Sequence, residues 1–222
     1  MVKTALMIGS TGLIGSQLLE LLLESKEYEK VITFVKRDSG IQNRKLKQHI
    51  IDFDKPETYQ NLVIGNDFFC TIGTTIKKAG SQEAFRKVDF EYPKQFATIA
   101  SQNKVNQFMI VSSLGANATS SNFYLKTKGE IQNFLKDCNF ESVFVFQPSL
   151  LLGNRTEFRL GEKIGAFFMK LFSFLLIGNL EKYKPIESKT VAKALFKIAQ
   201  QNKKGFHVIE SDSIQEIANN KS

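Results

Sequence analysis

A chain of 222 residues, 42% of them hydrophobic, is long enough to bury a sizeable core and too apolar for a disordered segment. Its net charge of +8 comes from lysines scattered over most of the expected helices. No helix-turn-helix, zinc-finger or RNP-type pattern accompanies them, so solvated helix faces explain the charge and no nucleic-acid partner is expected. Cys70 and Cys138 are too few for a disulfide framework and form no C-x-x-C pair, which points to reduced thiols in a cytoplasmic protein.

Short apolar runs alternate with helical patterns along the chain, as in βαβ units built on a parallel sheet. Strands are predicted at Thr4–Ile8, Val31–Val35, His49–Ile51, Asp67–Thr71, Gln107–Val111, Ser142–Phe146 and Phe206–Ile209. Helices are predicted at Leu13–Glu24, Phe90–Asn103, Phe123–Cys138, Gly161–Phe174 and Ser188–Gln201. Crossovers between parallel strands are right-handed, so this order describes an α/β fold: a Rossmann-like doubly wound sheet with helices on both faces. No linker or repeat divides residues 1–222, which are expected to form one domain. The less regular stretch from about 150 to 222 is expected to supply a small C-terminal substrate cap. The opening MVKTALMIGSTG turns directly into a glycine motif, which is not the pattern of a signal peptide.

The first predicted strand leads into Gly9-Ser10-Thr11-Gly12-Leu13-Ile14-Gly15, and an apolar-periodic helix follows. Each glycine has a physical task there. Gly9 permits the tight turn out of the strand, Gly12 lets backbone approach a pyrophosphate, and Gly15 lets the helix pack close. The helix N-terminus turns free N–H groups and a positive dipole end toward phosphate. In this strand–turn–helix setting the seven residues are read as a dinucleotide site.

The end of the second strand, some 20 residues on, chooses between NAD and NADP. An acid there accepts from a ribose 2′-hydroxyl. This strand ends Val35-Lys36-Arg37-Asp38, and Arg37 suits bidentate grip on a 2′-phosphate, so the expected cofactor is NADP(H). Asp38 is the alternative ribose partner if the strand ends later. Asp52 and Phe53 follow the third strand, where a side chain would meet adenine. Thr71, Ile72, Gly73 and Thr74 follow the fourth, where small residues let backbone pass close to the ribose. Ligands of open α/β sheets sit at these carboxyl ends.

The fifth strand runs into Ser112-Ser113-Leu114-Gly115, and Tyr124-Leu125-Lys126-Thr127-Lys128 comes shortly after. Tyr124 and Lys128 stand at i, i+4 on one helical face. A phenol titrates near pH 10 when unperturbed, and a neighbouring ammonium lowers that value. Tyr124 is therefore the expected proton donor to a carbonyl oxygen during hydride transfer, Lys128 its activator and Ser113 the oxygen's anchor.

These stretches resemble an atypical short-chain dehydrogenase/reductase, and more narrowly the Tat-interacting-protein-like oxidoreductases. The resemblance rests on GSTGLIG at Gly9–Gly15, CTIGTT at Cys70–Thr75, AFRKVDFEYPK at Ala84–Lys94 and SSLGANATSSNFYLKTKGE at Ser112–Glu130. QPSLLLGNR at Gln147–Arg155 is similar to the family's Arg-Pro segment beside the nicotinamide and implies a cofactor contact at Pro148. The resemblance implies NADP(H) binding, with Tyr124 and Lys128 also near the nicotinamide ribose, and a Ser113–Tyr124–Lys128 triad. It departs from the family at Gln147, where Arg is usual, and at Asp89, where many relatives carry Asn.

Phe158–Ile177 is rich in Phe and Leu and is expected to pack over the active site. A membrane-surface helix is the alternative. The apolar run Ile164–Ile177, broken by Lys170, is too short for stable membrane insertion. His49 and His207 occupy unrelated strands, so no metal site is expected. The expected activity is NADPH-dependent reduction of a small carbonyl-type substrate. Its rivals are a sugar-nucleotide epimerase or dehydratase, for which the stretch after Pro148 is short, and an NADPH-binding regulatory protein without turnover. The assembly state stays open, a homodimer included.

Overall fold

The computed structural model describes residues 2–152, 178–201 and 203–220. Seven parallel strands form one sheet: β1 (Lys3–Ile8), β2 (Tyr28–Val35), β3 (Leu46–Ile50), β4 (Asp67–Cys70), β5 (Gln107–Val111), β6 (Ser142–Gln147) and, after a short pair, β9 (Gly205–Glu210). Their order is β3-β2-β1-β4-β5-β6-β9, so the direction of winding reverses between β1 and β4. The short pair is β7 (Leu151–Leu152) with β8 (Ile186–Glu187).

Both faces of the sheet are covered, which is why its strands read as nearly continuous apolar runs. Side chains alternate between two cores. Ala5, Met7, Phe69, Met109, Phe144 and Phe146 face one way, against α1 (Leu13–Glu24), α6 (Ser188–Ile198) and α7 (Ser211–Asn219). Leu6, Ile8, Phe68, Phe108, Ile110 and Val145 face the other, against α4 (Tyr92–Gln102) and α5 (Phe123–Lys136). Helix α1 buries Ile14, Leu18, Leu19 and Leu22, the stripe its sequence period predicts.

The predicted strands, and the four predicted helices that fall within the described residues, are found, with informative shifts. The third strand lies upstream of its predicted place, at Leu46–Ile50. It is an edge strand with partly exposed side chains, so its apolar signal is weak. The helix predicted from Phe90 begins as α4 at Tyr92, with Pro93 in its first turn, because Lys87–Glu91 form a π turn. Two short helices, α2 (Ile76–Ala79) and α3 (Gln82–Arg86), precede that turn, capped by the hydroxyls of Thr75 and Ser81. Helix α7 has no counterpart in the sequence prediction, since only Ile214 and Ala218 are buried apolar residues along it. From residue 186 on, the chain contributes α6, β9 and α7 to the layers of the main sheet. The predicted helix Gly161–Phe174 lies outside the described residues.

Candidate active site

Because every strand of the main sheet is parallel, all the carboxyl ends open on one edge. The loops there meet in a continuous series of contacts. Gly9 leaves β1 at φ +83, a region that favours glycine. A side chain on Gly9 would strike the Ile72 nitrogen at 2.4 Å, and one on Gly15 the Gly9 carbonyl oxygen at 2.0 Å. The turn after β1, the start of α1 and the loop after β4 are therefore locked together by absent side chains. The Thr71 N–H and hydroxyl both donate to the Ile8 carbonyl at 3.0 Å, closing the same junction.

Gly12 is different. A Cβ there would meet only the Gly9 oxygen at 3.2 Å and the Thr71 oxygen at 3.9 Å, so its open side is a cradle that a side chain would fill. Gly12 caps α1 without a side-chain hydrogen bond, and the first turn holds no acid. Free N–H groups and a positive helix end face that space, which fits a pyrophosphate. Ser10 and Ile14 are buried, so they present backbone only, whereas Thr11 is exposed and Leu13 partly so.

At the end of β2, Lys36 and Arg37 are exposed. The Lys36 ammonium lies 5.3 Å from the Tyr92 ring centre and 5.7 Å from that of Phe53. Asp38 folds into its own loop, where Oδ1 accepts from the Gly40 N–H at 2.9 Å and from Gln48 Nε2 at 3.0 Å. Asp52 is exposed, whereas the Phe53 ring is 4% exposed and packs on Tyr92 and Phe96. Phe53 thus floors this end of the groove from within the core and gives no face to an adenine.

The other half of the edge holds Ser113, Tyr124 and Lys128. Ser113 lies two residues beyond β5, half-buried, and among the described residues its hydroxyl makes a single 3.4 Å contact, to the Leu114 carbonyl. The loop beyond it is pinned to the start of α5 by the Asn117 N–H donating to the Leu125 carbonyl at 3.1 Å. Gly129 sharpens that approach, since a Cβ on it would lie 2.1 Å from the Ala118 nitrogen. A lone glycine inside a helical pattern was the available signal for this contact, and reading the motif for Tyr124 and Lys128 alone passes over it. Tyr124 is half-buried with its ring 5.5 Å from that of Phe85. Pro148 is buried, and its carbonyl accepts from the Leu114 N–H at 3.0 Å, which ties β6 to the same corner.

Lys128 is 5% exposed, and its ammonium lies 2.7 Å from Asp89 Oδ1. Asp89 sits in the π turn, 1% exposed, and its Oδ2 accepts from the Thr74 N–H at 2.8 Å. Oδ1 makes no directed hydrogen bond among the described residues, so charge holds it to Lys128. Burial pushes the Lys128 pKa down. The Asp89 carboxylate, followed by Tyr124, more than reverses this and leaves it above the ordinary value. Cys70, beneath them, is no nucleophile, because burial pushes its thiol up to about 12.

Ser112 and Gln147 belong to a separate buried chain. Gln147 Nε2 donates to Gln132 Oε1 at 3.0 Å, and Gln132 Nε2 donates to the Ser112 hydroxyl at 2.6 Å. The residue standing where relatives carry Arg is thus satisfied inside the fold. His49 and His207 stack on Phe34 and Phe144, on the two opposite edge strands of the sheet. Among the described residues no group of three or more His, Cys, Asp or Glu could hold a metal, and no helix is long and apolar enough to cross a membrane.

The parallel sheet, its glycine turn at the switch in winding and the crevice beyond define an NAD(P)-binding Rossmann protein of the short-chain dehydrogenase/reductase type. The sequence profile of the NAD(P)H-binding family matches residues 9–202, and the chain belongs to that family. Within it the chain is an atypical short-chain dehydrogenase/reductase, of the group that holds HTATIP2 and FMP52. It is 33% identical to the mitochondrial protein FMP52 of Debaryomyces hansenii over 204 residues, 89% of this chain and 88% of that one. It is 32% identical to HTATIP2 of Rattus norvegicus over 170 residues, 75% of this chain and 70% of that one. Among solved structures, Bordetella bronchiseptica WbmH in complex with NAD+ superposes with a TM-score of 0.69, covering 98% of this chain and 80% of WbmH at 15% identity. That likeness is one of fold.

The relatives correct one expectation. FMP52 of Debaryomyces hansenii, Lodderomyces elongisporus and Candida albicans is in each case a mitochondrial protein, which overturns the cytoplasmic reading of the two thiols. Reduced cysteines report the redox poise around a protein, and more than one compartment keeps thiols reduced.

Proposed function

We propose that this chain is an NADPH-dependent oxidoreductase that reduces a small carbonyl-type substrate through Ser113, Tyr124 and Lys128. The observation that carries the reading is the buried Lys128 ammonium, one helical turn from a half-buried Tyr124 at the carboxyl edge of the sheet. Lysines are seldom this buried unless paired, and buried, charge-perturbed groups at the carboxyl edge of such a sheet cluster at functional sites.

Gly9, Gly12 and Gly15 shape the turn for a pyrophosphate, the N–H groups of Ser10, Thr11, Leu13 and Ile14 line it, and Thr71–Thr74 flank the ribose side. When bound, the dinucleotide supplies the hydride. Tyr124 gives its proton to the substrate oxygen as negative charge develops there, and Ser113 holds the same oxygen through its hydroxyl. Lys128, one helical turn from Tyr124, would hold a ribose hydroxyl of the bound cofactor. Lys36 and Arg37 support the phosphorylated cofactor, because the acid that would otherwise greet a free 2′-hydroxyl, Asp38, is engaged in its own loop. The partner is a small molecule; neither nucleic acid nor an inserted membrane segment enters the reading.

The test is a screen of aldehydes, ketones and quinones for NADPH oxidation, followed by Tyr124→Phe on the best substrate. Loss of the general acid lowers turnover by about 10²–10⁴-fold while NADPH affinity stays near wild type. Equal turnover by the two proteins would overturn the assignment. If no substrate emerges and NADPH instead alters association with a partner protein, the regulatory reading replaces this one.

A further inference from the structure

The stripe of α5 that carries Tyr124 and Lys128 carries a third polar side chain one turn further on. Gln132 stands at i+4 from Lys128 and is buried. The proposed chemistry gives it no task, yet both ends of its amide are occupied. Nε2 donates to the Ser112 hydroxyl at 2.6 Å, and Oε1 accepts from Gln147 Nε2 at 3.0 Å. Ser112 follows β5 directly and Gln147 ends β6. One helix side chain thus reaches the ends of two adjacent strands. With Oε1 taken by Gln147, the donor end of the amide is turned toward Ser112.

Ser113 is the neighbour of that contact. Its hydroxyl makes no directed bond shorter than 3.4 Å among the described residues, so the backbone is what aims it. The Ser112 N–H donates to the Phe146 carbonyl at 2.7 Å, and the Leu114 N–H donates to the Pro148 carbonyl at 3.0 Å. Both bonds run to β6 and its continuation, so they hold the corner within the sheet. They leave open its distance from α5, the layer on which Tyr124 stands. The backbone bond from Asn117 to Leu125 reaches α5 only beyond Gly115, which turns the chain at φ +78. Among the described residues, the one hydrogen bond that joins α5 directly to Ser112–Gly115 is the bond from Gln132.

We propose that Gln132 is a positioning residue: through Ser112 it sets the gap between Ser113 and Tyr124, so that hydroxyl and phenol meet on one substrate oxygen. The inference deepens the reductase reading and rests on it, since it takes Ser113 as the anchor. Two groups that share one oxygen tolerate little error, and a misplacement of about 1 Å costs about 100-fold.

Two variants test this. Gln132→Met keeps most of the side-chain bulk and removes both bonds. Ser112→Ala removes the same contact from the other end with a smaller change to the core, and decides the matter if the first variant fails to fold. In the cofactor-free, full-length protein, amide hydrogen exchange read by NMR is expected to quicken about tenfold at Leu114 in both. On the best substrate of the carbonyl screen, both lower kcat by about 10- to 100-fold, with NADPH affinity near wild type. Ser113→Ala by itself removes the anchor and costs about 10²–10³-fold. Added to Ser113→Ala, either variant is expected to cost less than about threefold more, because no hydroxyl remains at 113 to aim. A further fall of more than about threefold is the mark of a merely structural contribution and overturns the proposal. Unmoved Leu114 exchange in both variants overturns it too. Quickened exchange in a protein that turns over no carbonyl would retire the reductase reading and leave Gln132 as the holder of the corner. Turnover that Tyr124→Phe abolishes and Gln132→Met leaves unchanged would do the reverse.

Discussion

Lys36 and Arg37 leave β2 side by side but are spent differently. Lys36 lies over the Tyr92 and Phe53 rings, a position worth about 0.5–1 kcal/mol at an exposed site, and so is partly committed to the protein. Arg37 is the more available cation for a 2′-phosphate, and a charge-assisted pair there contributes about 1.5–3 kcal/mol, or roughly 10- to 100-fold. NADPH is therefore expected to bind at least about tenfold tighter than NADH. Arg37→Ala removes most of that gap and leaves NADH affinity nearly unchanged, as calorimetry on both proteins would read. Equal affinities of the wild-type protein for the two cofactors would mean that Asp38 releases Gly40 and Gln48 to take the ribose. At this scale the sequence is legible where a residue acts through its own chemistry, as Arg37 does. It is less legible where a neighbour far along the chain sets the role. Phe53, placed by sequence against adenine, is claimed by Tyr92 and Phe96, and Asp89 meets Lys128 and Thr74 only in the fold.

Among elements, the three glycines of the first turn divide into two kinds, and substitution separates them. Helix propensity alone favours Ala over Gly by about 1 kcal/mol inside α1 or α5. At Gly15 a Cβ would stand 2.0 Å from the Gly9 carbonyl oxygen, and at Gly129 it would stand 2.1 Å from the Ala118 nitrogen. Backbone must move in both cases, at an overpacking cost of about 1–3 kcal/mol or more, so the clash wins. Gly15→Ala and Gly129→Ala are expected to lower Tm by several degrees, at about 2–4 °C per kcal/mol for a chain of this size. A Cβ on Gly12 meets nothing closer than 3.2 Å, so Gly12→Val is expected to lower Tm less than those two substitutions, while its side chain fills the pyrophosphate cradle and abolishes dinucleotide binding. Thermal melts with and without NADPH check all three. Tight NADPH binding by folded Gly12→Val would place the nucleotide elsewhere.

Across the whole molecule the chemistry and one stabilising network lie at opposite ends of the sheet. Near the amino ends of the strands, Asp67 is 1% exposed; its Oδ2 accepts from the Tyr28 hydroxyl at 2.6 Å and from the Lys3 ammonium at 3.0 Å, and its Oδ1 from Gln107 at 3.1 Å. Burial raises the Asp67 pKa above the ordinary carboxylate value, outweighing the pull of Tyr28 and Lys3 in the opposite direction. Burial and then the Asp67 charge push the Tyr28 phenol far up as well, so it remains a donor at every working pH. A raised folded pKa means that the Asp67 contribution is fully present below the unfolded value, near pH 4, and is lost as pH rises through the folded value. Relative to Asp67→Asn, wild type is therefore most favoured at about pH 4 and loses ground toward neutrality, while the other titrating groups cancel between the two proteins. Paired melts from about pH 4 to pH 7 measure this. A wild-type advantage that grows with pH would show that Lys3 outweighs burial.

Read alone, the sequence determined the seven strands of the main sheet, the parallel α/β class and the glycine turn. Covered strands are apolar on both faces, α1 carries a clear helical stripe, and the turn's glycines follow one another within a few residues. It also placed Ser113 just beyond β5 and Tyr124 and Lys128 in the first two turns of α5, because each lies within a few residues of the strand end or helix start. Tertiary structure alone decided the rest. It supplied the π turn that turns Asp89 inward, the buried chain from Gln147 through Gln132 to Ser112, the weakly patterned edge strand β3 and the late helix α7. Those features depend on partners tens of residues away, and on side chains whose burial is created by the fold rather than announced by a local period.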